Sequence, residues 1–141
     1  MQQAALVRGL RNNNPLNIRY DPVNKWRGLV PNDARKDCEF CEFTSLVLGV
    51  RAAFKLLLHY VRDLHLCTPE AILFRWAPPS ENITAAYLSF VCRHSGVPKD
   101  RVLEADDTER LIRIVQAMAL YESGVALDYD LCLKAYQMCY E

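Results

Sequence analysis

Apolar residues fall into two regimes along the chain. From Thr44 onward Leu46, Val47, Val50, Ala53, Phe54, Leu57, Leu58 and Val61 recur at steps of three and four. That spacing predicts an amphipathic helix over about 45–63. Thr68-Pro69-Glu70 then reads as N-cap, N1 proline and first-turn acid of a short helix that Pro78-Pro79 must stop. A further helix is expected from about Ile83 to His94, with Gly96 as its stop. Asp106-Asp107-Thr108-Glu109 has the form of a capping box and opens a helix through Leu111, Ile112, Val115, Met118 and Ala119, ended by Gly124. A last helix is predicted over roughly 128–139.

Residues 8–35 carry no such period. Arg11-Asn12-Asn13-Asn14-Pro15, Asp21-Pro22, Gly28 and Pro31-Asn32-Asp33 mark turns. Short strand candidates lie between and just after them, around Asn17–Tyr20, Trp26–Val30 and Glu39–Phe43, with a small hairpin as the expected product. The pattern thus predicts an α+β domain over 1–141, mostly helical with a small β-hairpin lobe.

Composition narrows the class. Hydrophobic residues make up 51% of the 141 and charged residues 24%, enough for a packed core. Basic and acidic side chains number 17 each, and zero net charge argues against a dedicated nucleic-acid partner. No apolar run reaches the length of a membrane span, and Met1–Arg8 lacks the apolar stretch of a signal peptide. If the protein is exported, another route delivers it. Six cysteines include one C-x-x-C pair, Cys38 and Cys41, without a second pair to complete a zinc site. Reduced, partly buried thiols are the reading, with a Cys38–Cys41 disulfide or a metal there as the alternative; no metal site and no cofactor are expected.

Candidate chemistry gathers in three places. The asparagines of Arg11–Arg19 offer donors and acceptors suited to hydroxyl and acetamido groups, or else hydrogen-bond their own loop. Tyr20, Trp26, Tyr60, Trp76 and Tyr87 have faces that suit sugar rings, or the core. Glu122 stands just before Gly124, in the last turn of its helix, where the dipole is negative. Desolvation added to that position would raise its pKa, as a general acid for a glycosidic bond requires.

The segment Gln116-Ala117-Met118-Ala119-Leu120-Tyr121-Glu122-Ser123-Gly124 is similar to the glutamate-bearing helix end of the lysozyme superfamily. Goose-type lysozymes, lytic transglycosylases and cell-wall glucosaminidases carry this Glu-Ser-Gly or a near variant. Asn13-Asn14-Pro15-Leu16-Asn17-Ile18 resembles the Asn-Asn-x-x-Gly-Ile segment of the glucosaminidases, with Asn17 in place of the glycine. Trp26-Arg27-Gly28, Gly49-Val50-Arg51-Ala52 and Trp76-Ala77-Pro78-Pro79-Ser80-Glu81-Asn82-Ile83-Thr84 complete a series that resembles phage- and prophage-encoded virion-associated proteins with a lysozyme-like domain.

The resemblance implies a peptidoglycan-degrading glycosidase, lytic transglycosylase or muramidase, that cleaves the β-1,4 bond between N-acetylmuramic acid and N-acetylglucosamine. Glu122 would be the catalytic acid, in a protein made in the cytoplasm and delivered to the cell wall or periplasm by a phage particle or a secretion system. Asn13, Asn14, Asn17, Tyr20, Trp26, Trp76, Glu81, Asn82 and Tyr87 would bind the glycan strand. A second carboxylate is left open among Glu81, Glu39, Glu42 and Asp37. Two alternatives share the fold: a non-catalytic virion or wall-binding module, and a delivered antibacterial effector, which would have an immunity protein as partner. Because the glutamate helix here comes after the asparagine segment, the resemblance also implies a circular permutation, with Ala5–Arg11 lying close to the final helix.

Overall fold

The computed structural model describes residues 6–141. Six helices run in order: α1 (Arg8–Arg11), α2 (Leu46–Arg62), α3 (Pro69–Trp76), α4 (Thr84–Ser95), α5 (Thr108–Ser123) and α6 (Tyr129–Met138). The five longer helices begin and end within about two residues of the predicted limits. Their stripes and stops are strong, so local signals and packing agree. The Ser45 hydroxyl accepts from the Leu48 amide to start α2, and the Thr68 hydroxyl accepts from Ala71 to start α3. Gly96 and Gly124 close α4 and α5 in the left-handed region, at φ 73° and 65°. The capping box expected at α5 does not form. The Asp107 carboxylate instead accepts from the Glu104 amide and the Arg110 guanidinium.

Helix α2 supplies the broadest apolar face, burying Val50, Ala53, Phe54, Leu57, Leu58 and Val61. It packs chiefly on α6, while α5 packs on α4 and α6, and α3 packs on α4. Nearly every side chain along the inner face of α5, from Leu111 to Ala119, is buried. The glutamate-bearing end of α5 is therefore anchored from several sides.

The fold is all-helical, which corrects the expected α+β class. Among the described residues the predicted hairpin reduces to two isolated antiparallel bridges, Arg19 with Phe40 and Leu29 with Phe43. The reason lies in how residues 39–44 find partners. The Cys41 amide donates to Ile18, Glu42 accepts from Val30, the Phe43 amide donates to Asn12, and the Thr44 amide donates to Gly28. A segment that changes partner at almost every residue cannot propagate a ladder. Asn13 and Asn17, both at φ 52°, and the prolines bend the opposing chain as well. Side chains take up the remaining backbone groups: Asn14 Nδ2 donates to the carbonyls of Ile18 and Cys41, each at 3.0 Å.

Helix α1 lies inside the stretch predicted to be irregular. It has four residues and no apolar stripe to announce it. It seats on α5, where Gly9 touches Ser123, and the final helix, which the permutation would bring close to Ala5–Arg11, is not among its main packing partners. Ala5, the first residue of that expectation, lies outside the described residues. All six cysteines are free thiols, and Cys41, Cys132 and Cys139 are buried. Burial pushes Cys41 up to about 11 and Cys132 up to about 12, so neither forms a thiolate at neutral pH. No helix among the described residues is long and apolar enough to cross a membrane.

Candidate active site

The asparagine loop sits directly on the end of α5. The Ser123 hydroxyl donates to the Pro15 carbonyl at 2.7 Å in a buried contact. Asn17 Nδ2 donates to Glu122 Oε1 at 3.3 Å, and the same nitrogen lies 3.5 Å from the Glu122 carbonyl. From α4, the Tyr87 hydroxyl donates to Glu122 Oε2 at 2.9 Å. Both carboxyl oxygens are thus held by residues distant in the chain.

Glu122 opens onto a cleft of about 560 Å³. One wall is formed by the asparagine loop and its continuation, through Asn17, Ile18, Arg19, Tyr20, Asp21 and Asn24, with Phe40 beside them. The other comes from Leu56 and Tyr60 on α2, Trp76 at the end of α3, and the turn carrying Ala77, Glu81 and Asn82. The Trp76 ring meets Tyr60 edge-on at 6.4 Å, and Tyr20 lies under the Arg35 guanidinium at 3.5 Å from its centroid. Such fixed aromatic faces with polar neighbours suit an uncharged, hydroxyl-rich ligand. Arg19 reaches Glu81 across the cleft mouth at 3.9 Å, a solvated pair worth little in stability.

Burial is the main influence on Glu122 and raises its pKa. Donors from Tyr87, Asn17 and Trp76, and the positive Arg19, pull the other way without cancelling it. Tyr87 is almost fully enclosed, 2% exposed, and both burial and the nearby Glu122 charge raise its phenol far above the ordinary value. It remains a neutral donor.

Of the residues predicted from sequence, the cleft gathers Asn17, Tyr20, Tyr60, Trp76, Glu81, Asn82 and Glu122. Tyr87 belongs to the site from below, as a partner of Glu122 rather than a wall. Asn14 is wholly buried; its amide oxygen also accepts from Ile18, and no face is left for a ligand. Asn13 donates to the Phe43 carbonyl and holds the loop. Trp26 packs against the core, its indole nitrogen buried without a partner among the described residues, and it does not line the cleft. Of the second-carboxylate candidates, Glu81 alone lines this cleft. Asp37, Glu39 and Glu42 line a separate hollow with Arg8, Arg11 and Lys36. Sequence reasoning missed Arg19, Asp21 and Asn24. Their signal was only proximity to Asn17 and Tyr20. No group of three or more potential metal ligands occurs among the described residues.

No protein-family model matches the chain. Over 120 residues it is 38% identical to Protein P5 of Pseudoalteromonas phage PM2, a match covering 84% of this chain and 72% of that protein. At that identity and coverage, the chain belongs to the family of phage Protein P5.

Proposed function

We propose that the protein is a peptidoglycan-cleaving glycosidase, acting on the β-1,4 bond between N-acetylmuramic acid and N-acetylglucosamine with Glu122 as general acid and base. One observation carries the reading: a half-buried carboxyl with a raised pKa, held on both oxygens, facing a cleft of fixed aromatic and amide groups. Protonated Glu122 donates to the departing glycosidic oxygen as the bond to the anomeric carbon breaks. The resulting carboxylate then takes a proton from the incoming nucleophile and is restored.

A hydrolase would draw that nucleophile from water and use a second carboxylate, for which Glu81 and Asp21 are the cleft's available groups. A lytic transglycosylase uses the muramic acid's own 6-hydroxyl and needs only Glu122. The membership in a phage protein family supports delivery to the cell wall with a phage particle. Mass analysis of soluble products from digested sacculi tests the activity. Fragments with 1,6-anhydro ends mark a transglycosylase and reducing ends a hydrolase. Binding without products would overturn the catalytic reading in favour of a wall-binding module.

A further inference from the structure

We propose that Tyr87 is a positioning residue of this site: from beneath the cleft its phenol holds Oε2 of Glu122, so that Oε1 is the oxygen that exchanges the proton with substrate. The inference rests on the catalytic reading of Glu122 and adds the division of labour between its two oxygens. Tyr87 is 2% exposed and does not line the cleft, so it cannot touch a glycan directly. Its hydroxyl is 2.9 Å from Oε2, shorter than the 3.3 Å between Asn17 Nδ2 and Oε1. The Tyr87 ring is clamped in turn, stacked on Tyr121 at 4.0 Å with 20° between planes. A clamped ring gives the hydroxyl one direction in which to donate.

A phenol that keeps its proton can only donate to a carboxylate, and an oxygen that accepts this bond is a poor place for the acid's own proton. Oε1 is different. Its partner Asn17 is a cleft residue, and Asn17 Oδ1 is buried without a partner among the described residues. A half-turn of that amide exchanges donor for acceptor, so Asn17 can serve the anion or accept from the protonated acid. Arg19 from the loop and Trp76 from α3 also act on Glu122, and Asp21, Tyr60 and Glu81 line the same cavity. Among these groups Tyr87 is the one that reaches Oε2 from outside the cleft.

The test tracks the Glu122 side-chain carboxyl carbon by NMR through a pH titration, in wild type and in Tyr87→Phe. Loss of a donor to the anion should move the Glu122 inflection to higher pH. On sacculi, kcat should fall about ten- to a hundredfold with KM nearly unchanged, because a mis-aimed acid costs turnover and not binding. An unchanged inflection in Tyr87→Phe would overturn the proposal. Should that variant not fold, the Tyr87 Cζ resonance of the wild type decides. It should show an inflection at the pH where Glu122 titrates, absent in Glu122→Gln, and a flat trace would overturn the proposal. The resonances read the contact even if the wild type leaves sacculi intact, an outcome that would sink the catalytic reading on its own.

Discussion

At the scale of residues, the site is a carboxyl made uncomfortable by burial and then oriented by donors. Glu122 occupies the last turn of α5, where the dipole disfavours an anion, and its surroundings withhold water. Glu122→Gln preserves shape and accepts the Tyr87 bond but has no proton to give. Cleavage of sacculi should drop by about a hundredfold or more, while circular dichroism stays that of the wild type. Wild-type turnover by this variant would end Glu122's role. Its position before Gly124 was readable from the residue string, and so were Asn17 and Trp76 as companions. Asn17 at φ 52° sits in the left-handed region, which asparagine tolerates better than most side chains. What the string hid was which asparagines face inward. Asn14 and Asn17 are three residues apart with the same chemistry, yet one is sealed among carbonyls and the other lines the cleft.

At the scale of elements, the five longer helices were legible, and α1 and the lobe were not. A helix is specified by neighbours three and four residues away, whereas the segment 39–44 depends on partners at 12, 18, 20, 28 and 30. Those pairings come from the seat of the asparagine loop on α2, and the contact point is Gly49. A methyl added there would collide with the Asn13 carbonyl oxygen. Gly49→Ala should gain up to about 1 kcal/mol of helix propensity. Overpacking costs about 2–3 kcal/mol, and here it wins, because the obstacle is backbone held by the Asn13 and Asn14 side chains. A net loss of about 1–2 kcal/mol should lower Tm by about 3–8 °C. Calorimetry giving a Tm at or above wild type would show that the loop has room to retreat.

At the scale of the whole molecule, two carboxyls shifted in opposite directions give folding stability a pH optimum. Asp37 accepts from the amides of Glu39 and Phe40, from Asn12 Nδ2 and from Arg8, tying the lobe to α1. Burial opposes these donors, yet they prevail and hold Asp37 below its ordinary value. Its contribution is present above the unfolded pKa and is lost as pH falls through the folded one. Glu122 runs the other way. With its folded pKa raised by burial, the folded state binds the proton more tightly than the unfolded chain. That contribution is complete below the unfolded pKa and vanishes as pH rises through the folded value. Wild-type Tm should therefore fall on both sides of a mildly acidic maximum. Glu122→Gln should flatten the decline on the alkaline side and leave the acid side unchanged, because Gln does not titrate. Scans kept below pH 8 avoid the buried thiols. Parallel wild-type and variant profiles across that decline would mean that Glu122 titrates alike in folded and unfolded chains, and that the cleft does not perturb its acid at all.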